Sequence, residues 1–227
     1  MKIVLIQSGP NHEILVLGSL LIGLHKKYPG CQIIWAGNPK LFELMKYNRR
    51  IKRCVDINQD LTFSDLSIFY NTDLCINPSS TKDSRKFASS VSSKRYLGFT
   101  KTGAVDRHAE FFGRIMNGSV TTHKTILDLY FALADLKWAG EGYGLSYYPR
   151  KRQEKGYGTY LSQNINIQNA SPIKLPKQLL PKFDAINQFR EIHTDDLFVA
   201  HAGIALRKIV HFHADLPYEL EFFNKSK

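Results

Sequence analysis

No stretch of this sequence approaches the ~20 consecutive apolar residues that a membrane-spanning helix requires. The N-terminal run, MKIVLIQSG, carries one lysine and is too short for the apolar region of a secretory signal, so a cytoplasmic protein is expected. Cysteine is scarce. Cys31, Cys54 and Cys75 are odd in number, scattered, and set in or beside apolar runs, which reads as buried thiols in a reducing compartment and not as a disulfide framework. Acidic residues are also short, at 20 Asp+Glu against 31 Lys+Arg, and the net charge of +11 biases partners toward anions: nucleic acid, phosphorylated glycan or an acidic membrane surface. There is no helix-turn-helix, RNA-recognition or zinc-finger pattern, and the aromatics fall mainly at core-like positions, so nucleic acid is not the expected partner. Ser8-Gly9-Pro10 follows the first apolar run where a dinucleotide-binding protein would carry Gly-x-Gly-x-x-Gly. A Gly-x-Ser-x-Gly elbow, a Walker loop and a defensible Cys–His pairing are missing as well, and no cofactor is expected.

What is present reads as a globular α/β chain. At 227 residues, with 43% hydrophobic and 22% charged residues, it can bury a core in one generous domain or two small ones. Short apolar runs of the buried parallel-strand kind are predicted at 2–6, 33–36, 52–57, 73–76 and 96–99. Helical spacing intervenes: Ile14, Leu17, Leu20, Leu21 and Leu24 within 13–27, stopped by Tyr28-Pro29-Gly30; Leu41, Leu44 and Met45 within 39–47; a helix or helical turn at 66–70; and a helix at 82–91. A long helix is expected from 123 to 138, with Ile126, Leu127, Tyr130, Leu133, Ala134 and Trp138 on its apolar face. Strands alternating with helices on short turns specify a Rossmann-like parallel sheet with helices on both faces.

The pattern weakens after Tyr148. Residues 149–182 begin with a basic run and continue in Gly, Asn, Gln, Pro and Lys without sustained period, which predicts an irregular basic linker. From 183 to 227 a reduced α/β segment is expected: a helix near 184–192, a strand DLFVAH at 196–201, a short helical segment at 202–207, a strand KIVHFHAD at 208–215, and a last helical turn at PYELEFF.

Several stretches resemble the N-terminal, acceptor-side domain of glycosyltransferase family 9, the ADP-heptose:lipopolysaccharide heptosyltransferases. MKIVLIQSGPNHEILVLGSLLIGLHKKYP at 1–29 runs without a gap against that family's first strand, loop and helix. IIWAGNPKLFELMKYNRRIKRCVDI at 33–57 resembles the next β-α-β unit, and DLCINPSSTKDSRKFASSVSSKRYLGF at 73–99 keeps the family's length and closing Lys-Arg, aromatic or apolar, Gly-Phe pattern. HKTILDLYFALADL at 123–136 resembles the helix that closes the domain, so the resemblance covers about 1–148. It implies half of a GT-B architecture, with the reduced C-terminal segment in place of a full nucleotide-binding domain. It also implies inverting, metal-independent transfer of a sugar from a nucleotide donor to an anionic, lipopolysaccharide-type glycan. Peripheral contact with the anionic inner face of a membrane would suit such an acceptor.

Departures from the family bear on the site. Family members carry an Asp just after the first strand as general base for the acceptor hydroxyl. Here the loop reads Asn11-His12-Glu13, so Glu13 stands in that place as catalytic candidate, with Asn11 and His12 as acceptor-cleft residues. One extra methylene moves the carboxylate by about 1.5 Å, and misplacement on that scale costs on the order of 100-fold in rate. A plain helix-start acid, favoured by the helix dipole, accounts for Glu13 equally. Lys82, Arg85 and Arg95, from the basic clusters, are the candidates for acceptor phosphates, with solvated helix faces and loop tips as the alternative. DDLFVAHAGIALRKIV at 195–210 faintly resembles the family's late Asp-Thr/Ser-Gly motif, with His201 near the Asp and Gly203 in the Gly; these two are the donor-binding candidates, and the acidic residue is missing. The alternative function is a catalytically inactive binding or scaffold protein built on the same fold. His211, His213 and Asp215 alternate along a strand and so share one face, with His193 or His201 as conceivable further ligands. No established motif matches them, and no metal site is assigned.

Overall fold

The computed structural model describes residues 1–58, 67–145, 147, 149, 155–162 and 167–220. In the first half, β1 (Lys2–Gln7) leads through α1 (Glu13–Lys27) to β2 (Gln32–Gly37). A 3₁₀ turn at Pro39–Leu41 and α2 (Phe42–Met45) then lead to β3 (Ile51–Asp56). β4 (Leu74–Asn77), α3 (Lys82–Ser90) and β5 (Tyr96–Thr100) follow. β6 (Gly103–Ala104), α4 (Arg107–Met116) and α5 (Ile126–Leu133) complete this half. The strands form one sheet in the order β3-β2-β1-β4-β5-β6, parallel except for the final β5–β6 hairpin.

The period-two pattern of β1 shows why both faces are covered. Ile3 and Leu5 point into the core shared with α1 and α5, while Val4 and Ile6 point into a second apolar cluster with Phe69, Phe87 and Ala88. β6 and α4 add to the elements expected from periodicity. Asp106 caps α4 by accepting the Ala109 amide, and Ala109, Phe112 and Ile115 form its buried stripe. α5 is shorter than the expected 123–138 because a Thr125/Asp128 capping box starts it at Ile126. It ends at Leu133, two residues before the left-handed backbone of Asp135.

The second half corrects the linker reading. β7 (Lys155–Tyr160) and β8 (Ala170–Pro172) lie inside 149–182, the stretch expected to be irregular. Then come α6 (Leu179–Ile186), β9 (Phe189–Thr194), α7 (Leu197–Ala205) and β10 (Ile209–Phe212), giving a parallel sheet in the order β8-β7-β9-β10. Gly156 and Gly158 weaken the strand signal of β7. Gly158 is nevertheless a packing requirement, since a Cβ there would lie 2.6 Å from the Phe189 ring. The DLFVAH segment, expected as a strand, opens α7 instead: Asp196 accepts the Val199 amide as N-cap and the apolar run continues helically to Ala205. The helix expected near 184–192 lies earlier, at α6, and Phe189–Thr194 is β9. In PYELEFF, Glu219 bridges to Thr125; residues 221–223 lie outside the described residues.

One apolar core runs through both halves, from Leu17 and Trp35 to Phe183, Ile192 and Val199, with α7 packed on α1 and α6 on α2. Gly18 permits a close approach at this seam, because a Cβ on it would meet the Tyr143 carbonyl oxygen at 2.3 Å.

Candidate active site

In the first sheet, β1 connects outward to β2 while β4, its other neighbour, connects the opposite way to β5. Crossovers leave the gap beyond the carboxyl ends of β1 and β4 open, which is where such sheets bind ligands. Two loops border it: 8–12 after β1 and 78–81 after β4. The hydroxyls of Ser8 and Thr81 lie 3.1 Å apart across the gap, and Thr81 caps α3 by accepting the Ser84 amide. Leu197 and residues 216–218 of the second half close the space into a cavity of about 380 Å³, whose wall includes His12, Glu13, Ser79, Thr81, Phe112 and Tyr218.

Glu13 opens α1 and is only 7% exposed. Burial penalises its charged form and pushes the carboxyl up to about 7; the Tyr130 hydroxyl and the backbone of Gly9 pull the other way without cancelling it. Neither Glu13 Oε2 nor the Tyr130 hydroxyl has a partner with full hydrogen-bond geometry among the described residues. The Tyr218 hydroxyl is pushed up to about 12, by burial first and by the Glu13 charge second. Gly9 is what lets the carboxyl lie where it does, since a Cβ there would sit 1.8 Å from Oε2. Beside it His12 is lowered to about 4 by burial, partly offset by the Asp196 carboxylate, so it is neutral near pH 7.

A second cavity, of about 650 Å³, lies at the carboxyl ends of the second sheet. Tyr160, Leu161, Ser162, Asp195, Asp196, His213 and Ala214 line it. The Ser162 amide and hydroxyl donate to Asp195, and these bonds hold its carboxyl below the usual range. The two cavities are neighbours, because the segment Asp195–Leu197 contributes to both walls. Among the described residues, no lysine or arginine lines the second cavity. A larger hollow, about 950 Å³, sits at the far end of α7 between the 140–149 segment and residues 204–208.

The structure gathers some of the expected site residues and disperses others. His12 and Glu13 line the first cavity, Asn11 is exposed on the same loop, and Lys82 is exposed at the start of α3, one residue from Thr81. Arg85 instead fastens the β5–β6 turn, donating through Nε to the Thr100 carbonyl at 2.9 Å and through Nη2 to the Lys101 carbonyl at 2.6 Å. Arg95 precedes β5, at the amino edge of the parallel sheet and away from the cavity, where it pairs with Asp135 at 3.1 Å.

His201, expected as a donor-binding residue, is fully buried on α7. Its ring stacks on His12 at 5.5 Å, its Nδ1 lies 2.9 Å from the Tyr143 hydroxyl, and burial lowers it to about 3. The two rings pack directly on one another, so His201 presents no free face to a donor on the His12 side. Gly203 is occupied in packing α7 on the second sheet, where a Cβ would lie 2.8 Å from Val210 Cγ2. Tyr130, Tyr218, Ser79, Thr81 and Ser162 escaped the sequence reading. The signal for Tyr130 was its hydroxyl within an otherwise apolar stripe, since a buried tyrosine hydroxyl needs a partner.

No family profile matches the chain, and no curated protein matches it. Solved structures do. A glycosyl transferase of family 9 from Veillonella parvula DSM 2008 superposes with a TM-score of 0.64 at 13% identity, over 92% of this chain and 80% of that one. The E. coli heptosyltransferase WaaC with ADP-2-deoxy-2-fluoro heptose gives 0.59 at 11% identity, over 92% and 87%. E. coli ADP-heptose lps heptosyltransferase II gives 0.56 at 12% identity, over 92% and 83%. The chain has the α/β, GT-B-type fold of these glycosyltransferases.

Proposed function

We propose that this protein is a heptosyltransferase-like glycosyltransferase that moves a sugar from a nucleotide donor, ADP-linked as in the similar structures, to an anionic glycan of lipopolysaccharide type. The observation that carries the reading is Glu13, a carboxyl titrating at about 7 in the wall of a cavity at the switch point of the sheet. A general base works best with its pKa near the operating pH, and burial has moved this one there. In the transfer, the Glu13 carboxylate takes the proton of an acceptor hydroxyl as that oxygen attacks the anomeric carbon. The bond from that carbon to the donor phosphate breaks, the nucleoside diphosphate leaves with the electron pair, and the configuration inverts. No step calls for a metal ion. His12, neutral near pH 7, and Asn11 border the acceptor, while Lys82 at the start of α3 meets its anionic groups. The donor lies toward the second cavity, with Ser162, Asp195 and Asp196 as partners for sugar hydroxyls. A cytoplasmic protein working at the inner membrane face would meet such an acceptor.

One observation favours a second reading, a catalytically inactive binding protein on the same fold. Among the described residues, the second cavity presents two carboxylates and no lysine or arginine, a poor setting for a diphosphate. Calorimetric titration with ADP, UDP, GDP and CMP at two salt concentrations separates the readings. Base-selective, saturable binding that survives the higher salt, together with turnover lost in Glu13→Gln, supports the transferase. Binding of none, or weak binding of all that salt abolishes, supports the inactive binder.

A further inference from the structure

Among the described residues, the second sheet has one covered face and one open face. α6 and α7 follow β8 and β9 and pack together between this sheet and the first half, where Ile192 and Val210 are buried. In a doubly wound sheet the other face is covered by the helix that follows the first strand. Here the parallel strands β7 and β8 are joined by residues 161–169 alone, fewer than the dozen or so that a helical crossover takes. Tyr157 is 43% exposed, and His211 is exposed in register with His193.

On this open face three ligand-type side chains converge. Glu191 and His193 are two residues apart on β9, and His211 lies opposite His193 on β10. His211 Nε2 is 2.8 Å and His193 Nε2 is 3.6 Å from the same Glu191 oxygen, and the three ligand atoms lie within 4.8 Å of one another. Bonds of about 2.05 Å to a tetrahedral ion put ligand atoms roughly 3.3 Å apart, so the two distances bracket the requirement. The imidazoles of His193 and His211 stack at 4.4 Å and 10°, which leaves both Nε2 atoms facing the carboxylate. His193 Nδ1 lies 3.2 Å from His213 Nε2, the outer contact that sets tautomer and ring direction in metal-bound histidines.

We infer that Glu191, His193 and His211 form a binding site for a divalent transition-metal ion of the zinc class, oriented by His213 and with one coordination position open to solvent. Two imidazoles and a carboxylate are a donor set that zinc takes in three-ligand sites. Glu191, not the Asp215 suggested by strand alternation, supplies the oxygen, because Asp215 lies beyond the end of β10. His213 also lines the second cavity, so the site borders that cavity without entering the transfer chemistry, and it stands whether or not the chain is a transferase.

The test is calorimetric titration of chelator-treated, tag-free protein with Zn²⁺, supported by the visible spectrum after Co²⁺ substitution and by circular dichroism for the fold. One ion per chain is expected, with affinity falling at least 100-fold in His193→Ala and in His211→Ala. His213→Ala should lower it about 10- to 100-fold, the range for an outer partner. His25→Ala and His123→Ala, elsewhere on the surface, should leave it unchanged. A folded chain that takes up no ion, or binding that persists in the His193→Ala/His211→Ala double variant, overturns the assignment.

Discussion

Replacing Glu13 by Gln should make the protein more stable at alkaline pH, by an amount the structure sets. The carboxyl titrates at about 7 in the fold against 4.5 for an unperturbed glutamate, and each pH unit of displacement is worth about 1.4 kcal/mol. Because the folded pKa is raised, the folded chain holds its proton more tightly than the unfolded one. The neutral carboxyl's advantage is fully present below about pH 4.5, declines as pH rises, and is lost above about 7. Ionising the group inside the fold therefore costs about 3 kcal/mol at pH 8.5. Glutamine keeps the size and never ionises. Denaturant unfolding of wild type and Glu13→Gln at pH 5 and 8.5 gives the two stability differences. Glutamine should gain about 2.5 kcal/mol relative to wild type between those conditions, since a small part of the cost is already present at pH 5. The same replacement should abolish transfer, so one substitution would raise stability and remove activity, as expected of a functional group held at a cost to stability. A stability difference independent of pH would refute the buried, displaced carboxyl and with it the poised base.

Gly9→Ala should destabilise the chain by about 1–3 kcal/mol through overpacking, since its Cβ would sit 1.8 Å from the Glu13 oxygen. Most of that loss should vanish in a Glu13→Ala background, as a double-mutant cycle would register. His201 runs opposite to Glu13: its folded pKa is depressed, to about 3, so its contribution is present above pH 6.5 and falls by about 1.4 kcal/mol per pH unit as pH drops. His201→Leu should flatten that acid limb in unfolding measurements between pH 6.5 and 5. Lys82→Ala should weaken binding of an anionic glycan acceptor several-fold while Arg95→Ala leaves it unchanged, because Arg95 lies at the opposite edge of the sheet; a titration series would show equal losses if that topology were wrong.

Glu13 was readable as a candidate from its place after the first strand, and His12 with it. Their chemistry was not readable. The shift to about 7 arises from burial within a cavity wall assembled from distant segments, including residues 78–81, 112–116 and 216–218, which no local pattern encodes, and the Tyr130 hydroxyl, 117 positions along the chain, opposes it. Arg85 and Arg95 show the reverse failure. Both look available in the sequence, yet one is tied to the backbone of Thr100 and Lys101, and the other sits on the wrong edge of a parallel sheet. The DLFVAH segment was misassigned because a short apolar run carries no period of its own, and the Asp196 cap that makes it a helix depends on one hydrogen bond to Val199.

The sequence by itself determined the first sheet, since alternation along strands such as β1 and 3.6-residue periodicity in α1 are local consequences of burying one face or two. It also determined the surplus of positive charge. Tertiary structure decided what composition leaves open. It recruited the glycine-bearing β7 into a second sheet, because Gly158 makes room for Phe189. It placed His201 in the core against His12, because α7 packs on α1. It also brought Glu191, His193 and His211 together on an open face, because parallel register sets His211 beside His193. Register and packing are agreements between distant segments, and each segment alone is compatible with many partners.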